Sequence, residues 1–288
     1  MKGVSIALLL FALSAGAKTV LFVGNSFTYG ENSPAHYYKP DTVTDLNGPI
    51  NGKSVGGAPA FFKAMTKEAG LDYDVSLETA PGKGLDFHFS EKRDILNRSW
   101  DIVVMHGFST LDYQHPGDPA LLIKSATQMA DLFRSKNPKV EIWLTATWSR
   151  ADQTYPAGTP WHGKPIQQMA IDVSAGYVQA AKAAQVTGVI PLGLAWNRAI
   201  STGIAVDNPY NGIPVGKINL WSWDNYHASA YGYYLEALMA FGRVTRKDPL
   251  SLGDNETVAE DMGFAKSQTH ALQQIAHDQL STSNQLGQ

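Results

Sequence analysis

The chain has no cysteine, which excludes disulfides, thiol catalysis, cysteine zinc sites and a lipid-modified cysteine anchor. It also lacks a membrane-length apolar stretch. The run from Val4 to Leu13 falls short of the roughly 20 residues that a permanent spanning helix needs, and no other segment approaches that length. Neither sign of charge dominates. With 23 Lys and Arg against 26 Asp and Glu the formal charge is -3, so there is no electrostatic footprint for nucleic acid or an anionic membrane. A neutral or weakly charged small substrate is more compatible. No Gly-x-Ser-x-Gly elbow is present, which argues against an α/β-hydrolase carrier. No His-Glu-x-x-His pair occurs, so no metal and no cofactor are expected. Gly48-Pro49-Ile50-Asn51-Gly52-Lys53-Ser54 is one residue short of a phosphate loop and follows no strand pattern, so it reads as a turn.

What is present begins with a leader-like stretch. Lys2, the apolar run and then Ser14-Ala15-Gly16-Ala17 fit a signal peptide over residues 1–17, leaving a single domain over residues 18–288 that is periplasmic or secreted, without stable membrane insertion. At 288 residues and 44% hydrophobic composition, one large core is available. Strand-like runs fall at Thr19–Val23, Tyr73–Thr79, Ile102–Met105, Val140–Ala146 and Val186–Pro191. Helical patterns fall at Ala58–Ala69, Pro119–Ser135, Ile166–Ala184, Ala228–Thr245 and Glu256–Leu280. Five strands alternating with helices predict an α/β fold with a parallel sheet covered on both faces, a C-terminal helical segment over about residues 256–280 and a frayed tail from Ser281. Ser149–Pro165 and Thr202–Lys217 are dense in glycine and proline and read as long loops.

The most informative stretch is Val20-Leu21-Phe22-Val23-Gly24-Asn25-Ser26, an apolar run that breaks at a glycine and delivers a serine. Far downstream stands Asp224-Asn225-Tyr226-His227. Together they supply a nucleophile (Ser26), a general base (His227) and an orienting acid (Asp224) for acyl transfer. Each block alone has a plainer reading, Ser26 as a helix N-cap and Asp224 as a cap followed by a surface histidine. The pair in this order favours catalysis. Ser26 is expected to open the first helix, where free N–H groups and the helix dipole favour developing negative charge.

The two blocks resemble those of the SGNH (GDSL-like) hydrolase superfamily, whose first block is Gly-Asp-Ser or Gly-Asn-Ser after strand one and whose last is Asp-x-x-His. The resemblance runs from about Lys18 to about Met239. It implies a flavodoxin-like, three-layer α/β/α sandwich with a five-stranded parallel sheet. It also implies oxyanion donors after strands two and three. Ala80-Pro81-Gly82-Lys83-Gly84 resembles the glycine block, with Gly82 as the donor and Gly84 the alternative, while His106 stands where the family carries an amide side chain. The implied activity is that of an exported serine esterase acting on a small-molecule or glycan ester, with acetyl groups on a carbohydrate one option. A lipase or thioesterase on longer chains, or a non-catalytic glycan-binding protein, are the alternatives. Six of the seven tryptophans lie between Trp143 and Trp223. Trp148, Trp161, Trp221 and Trp223, with Arg150, are the candidate substrate contacts, since aromatics in loops stack on sugar rings; Trp143 and Trp196 read as core.

Overall fold

The computed structural model describes residues 16–50 and 52–285; apart from Gly16 and Ala17, the stretch read as a leader lies outside them. Six strands follow in chain order: β1 (Lys18–Gly24), β2 (Thr44–Asp45), β3 (Tyr73–Thr79), β4 (Ile102–Met105), β5 (Glu141–Thr145) and β6 (Gly188–Ile190). Between and after them run α1 (Ser26–Tyr29), α2 (Gly57–Glu68), α3 (Leu85–Glu91), α4 (Arg93–Leu96), α5 (Ala120–Lys136), α6 (Gln167–Ala183), α7 (Leu192–Ser201), α8 (Ala230–Thr245), α9 (Thr257–Asp261) and α10 (Lys266–Gln285). The sheet order is β2-β3-β1-β4-β5-β6, and every pairing is parallel.

The sheet has six strands, one more than the five expected. The addition is β2, whose two residues pair with Ser76 and Leu77 at the sheet edge. Two residues carry no readable hydrophobic period, so only the partner strand reveals them.

Alternation along each strand divides the core in two. Val20, Phe22, Val75, Leu77, Ile102 and Val104 pack on one face beneath α2, α7 and α8. Leu21, Val23, Val103, Met105, Ile142 and Leu144 pack on the other beneath α5 and α6. Burial on both faces is why these strands read as continuous apolar runs rather than alternating ones. The result is a three-layer α/β/α sandwich with β1 in mid-sheet. No helix among the described residues is long and apolar enough to cross a membrane.

The C-terminal helical segment differs from the expected single span. It breaks between α9 and α10, where Gly263 has φ +73°, a left-handed turn that glycine adopts without strain. Helix α10 runs past Ser281 to Gln285, where Arg198 donates to Thr282 Oγ1 (3.1 Å) and Ser283 is buried and donates to Gln279 O (2.9 Å); the rest of the expected tail lies outside the described residues.

Candidate active site

Open parallel sheets place ligands outside the carboxyl ends of their strands, where the winding direction reverses. Here that point lies beside β1. Gly24 ends the strand with no room for a side chain: a Cβ there would lie 2.2 Å from Thr28 Oγ1 and 2.4 Å from His106 Nε2. Asn25 then turns the chain; its Oδ1 accepts from Phe27 N (3.1 Å) and its Nδ2 donates to Lys83 O (2.9 Å), tying the turn to the loop after β3. Ser26 follows, buried, at the start of α1. Its carbonyl accepts from the Gly30 and Glu31 amides and from the Tyr233 hydroxyl (3.0 Å). Its backbone is therefore fixed independently of its side chain. α1 is only four residues long, so the expected dipole is that of a single turn; what it offers is the free N–H groups of a helix start.

The Asp-x-x-His segment is a tight loop held from several sides. Asn225 adopts φ +58°, and Ser222 N donates to His227 O (2.8 Å) across the loop's base. Trp148 Nε1 donates to Tyr226 O (3.1 Å). Asp224 accepts four hydrogen bonds. Its Oδ1 takes the amides of Tyr226 (3.1 Å) and His227 (2.9 Å), and its Oδ2 takes His227 Nδ1 (2.6 Å) and Asn32 Nδ2 (2.8 Å). Burial opposes charge on this carboxyl, but the four donors outweigh it and hold its pKa below the usual carboxylate range. The carboxylate fixes the His227 tautomer: Nδ1 carries the proton, and Nε2 keeps its lone pair for another partner.

Ser26, Gly82 and His227 line one cleft of about 480 Å³, with Tyr29, Ile50 and Tyr226 among the other walls. The Ser26 and Gly82 amides have no hydrogen-bond acceptor among the described residues. Gly82 has φ +67°, a conformation that exposes its backbone and favours glycine. Backbone amides of this kind, in one cleft, are the groups that can hold an oxyanion.

Several expected contacts lie elsewhere. His106 is buried beneath Gly24, not in the cleft: Nδ1 donates to Gly107 O (2.9 Å), which leaves Nε2 to accept from the Thr28 hydroxyl (2.8 Å). With both nitrogens engaged, its ring braces the serine turn and has no free N–H for an oxyanion. Gly84 is not among the residues that line the cleft, and the Phe108 ring lies 2.4 Å from where its Cβ would be. Trp148, Trp161 and Trp221 are buried core residues. Trp148 stacks on Phe27 (4.0 Å between centroids) and on Trp196 (4.8 Å), because the chain after β5 turns inward before its glycine- and proline-rich part begins. Trp223 is 79% exposed and borders a separate hollow with Ile213, Tyr231 and Phe264.

Arg150 lies behind the cleft wall. Its guanidinium sits 3.6 Å from the centre of the Tyr226 ring and bonds to Asp152 (2.6 and 3.0 Å) and Ser109 (3.3 Å). Burial raises the Tyr226 phenol pKa, while the Arg150 charge opposes that rise. Tyr226 and Asn32 are site residues that the motif reading passes over. Tyr226 falls in a variable position of its motif, and Asn32 lies 192 residues from the acid it holds, so no local pattern marks either.

Burial lowers the His106 pKa to about 4, from 6.5. An unfolded chain takes up this proton first, so the contribution to stability is intact above about pH 6.5 and is lost as pH falls towards 4. The expected loss by pH 4 is on the order of 3 kcal/mol from this group. Urea unfolding of the native protein and a His106→Asn variant, followed between pH 7 and pH 4, checks it: the variant should show the shallower acid slope. Equal slopes would refute the assignment.

No protein-family model and no curated protein sequence matches the chain. Solved structures do. A DUF4886 family protein from Bacteroides uniformis superimposes with a TM-score of 0.61 at 16% identity, covering 92% of this chain and 95% of that one. A candidate GDSL-like lipase from Parabacteroides merdae gives 0.52 at 13% identity, covering 80% and 96%. LAE5, an α/β hydrolase enzyme from the metagenome of Lake Arreo, Spain, gives 0.51 at 15% identity, covering 81% and 96%. At these identities the likeness is one of fold, shared with the candidate GDSL-like lipase among them.

Proposed function

We propose that the protein is an exported serine esterase of the SGNH type that hydrolyses short-chain esters, acetyl groups on a carbohydrate among them. The observation that carries the reading is the 2.6 Å bond from His227 Nδ1 to Asp224 Oδ2, on a histidine that shares a cleft with Ser26 and Gly82. In this mechanism His227 Nε2 takes the Ser26 proton as Oγ attacks the ester carbonyl. The resulting imidazolium is stabilised by Asp224. The oxyanion is held by the Ser26 and Gly82 amides, each such donor being worth roughly 10²–10³ in kcat. Collapse of the tetrahedral intermediate expels the alcohol, which takes the proton back from His227. Water then repeats the sequence on the acyl-enzyme and releases the acid.

The cleft favours a short acyl group. Ile50, Pro81, Tyr29 and Tyr226 supply apolar surface, but Glu31 shares the wall, and a buried alkyl chain would take water from that carboxylate. The test is hydrolysis of p-nitrophenyl acetate and p-nitrophenyl octanoate by the mature protein. The expected kcat/KM is at least about tenfold higher for acetate, since a longer chain has to pass the Glu31 carboxylate. A preference for octanoate would overturn the short-chain reading in favour of a lipase or thioesterase.

A further inference from the structure

The cleft that holds Ser26 adjoins a larger hollow of about 740 Å³, and the two share Glu31 and Ile50 as a common wall. We propose that this hollow is a binding site for the alcohol half of the ester, and that this half is a sugar stacked on Tyr37 and hydrogen-bonded by Glu31, His36 and Lys53. The proposal rests on the esterase reading for its connection to chemistry, but the binding site can be tested without it.

Tyr37 is 61% exposed, in a protein that buries most of its large aromatics. It is held in place by its backbone. Ser33 caps the short turn Pro34–Tyr37 by accepting from Ala35 N (3.3 Å), and His36 O accepts from Gly56 N (2.8 Å). The His36 ring meets Tyr37 edge-on at 4.6 Å, and Lys53 Nζ lies 5.5 Å from the ring centre. A fixed, exposed ring offers a stacking platform at low entropic cost.

The polar groups around that platform suit hydroxyls rather than a charged ligand or an alkyl chain. Glu31 accepts and Lys53 donates. Their opposite charges leave no net charge, and burial lowers the His36 pKa, which keeps that ring uncharged at neutral pH. A pyranose has an apolar C–H face to lie on Tyr37 and a rim of hydroxyls that both donate and accept. The site is also built into the catalytic machinery: Asn32, on the same wall, holds Asp224 (2.8 Å). A sugar there would lie next to the cleft that holds Ser26, across the shared Glu31 and Ile50.

The experiment compares native protein, Tyr37→Ala and Tyr37→Phe on p-nitrophenyl acetate and on a panel of acetylated xylo-, gluco- and chito-oligosaccharides, with calorimetric titration of the deacetylated oligosaccharides alongside. Tyr37→Ala is expected to raise KM about tenfold on the sugar acetates, with kcat within about twofold and p-nitrophenyl acetate kinetics unchanged; Tyr37→Phe, which keeps the stacking face, should behave as native. Equal effects on both substrate types, no effect on either, or turnover of p-nitrophenyl acetate but of no sugar acetate would overturn the sugar site while leaving the esterase reading intact. Absence of all hydrolysis would sink the esterase reading instead. Calorimetric binding that Tyr37→Ala abolishes would then still uphold the site, and no binding would remove both.

Discussion

Ser26→Ala and His227→Ala are each expected to lower kcat for p-nitrophenyl acetate by about 10⁴-fold or more, and the double variant by no more than the worse single one. The nucleophile and its base act as a unit, so removing either forfeits the covalent route, and the residual rate reflects oxyanion stabilisation and binding alone. The folds should survive. The serine turn is held through the Ser26 carbonyl by the Gly30 and Glu31 amides and Tyr233 and through Asn25, none of which needs the Ser26 hydroxyl. Steady-state hydrolysis with far-UV circular dichroism on the same samples checks both halves. Additive losses in the double variant would mean that the two side chains do not work together.

The second large effect is expected from Asp224→Asn, about 10³–10⁴-fold in kcat. The carboxylate accepts two hydrogen bonds on each oxygen. An amide can replace only one oxygen. If its Nδ2 faces His227 Nδ1 it also meets Asn32 Nδ2, so three N–H groups converge with no acceptor. If it is flipped, it opposes the two backbone amides that shape the loop. Either orientation loses the preferred tautomer or the loop geometry, and no negative charge remains to stabilise the imidazolium. Asn32→Ala removes one of the four donors and leaves the charge, so it should cost only about tenfold, as expected for one hydrogen bond to a charged group. The ratio of the two kcat losses, each measured at the pH optimum of its own variant, is the readout; an Asn32→Ala loss as large as that of Asp224→Asn would show that tautomer control is not Asp224's main contribution.

The central strands were readable because parallel strands buried on both faces become short, continuous apolar runs; Tyr73–Thr79 and Ile102–Met105 fall where the residues indicate. The two-residue edge strand and the break at Gly263 were not, since one exists only through its partner and the other interrupts a helical pattern that is otherwise unbroken. At the site, the motif residues Ser26, Asp224 and His227 stand out by type and order. The supporting residues do not. Composition made Trp148, Trp161 and Trp221 look like loop aromatics, but Trp148 and Trp221 use their indole N–H groups to hold backbone carbonyls near the Asp-His loop, at Tyr226 (3.1 Å) and Ser149 (2.8 Å), and Trp161 donates to Asp172 (2.8 Å). His106 likewise looks like a donor in a family block, and becomes a brace only because Thr28 and Gly107 O claim its nitrogens. Tyr37, the exposed ring beside the cleft, carries no motif at all. Its role depends on a surface that exists only once the chain is folded.

The most direct test of the account is covalent labelling of the mature protein with a fluorophosphonate, a reagent that reacts with serines activated by a neighbouring base, followed by peptide mapping. The account predicts a single adduct on the peptide that contains Ser26, absent from Ser26→Ala and strongly slowed in His227→Ala. No adduct on the native protein, or labelling that persists in Ser26→Ala, would contradict it.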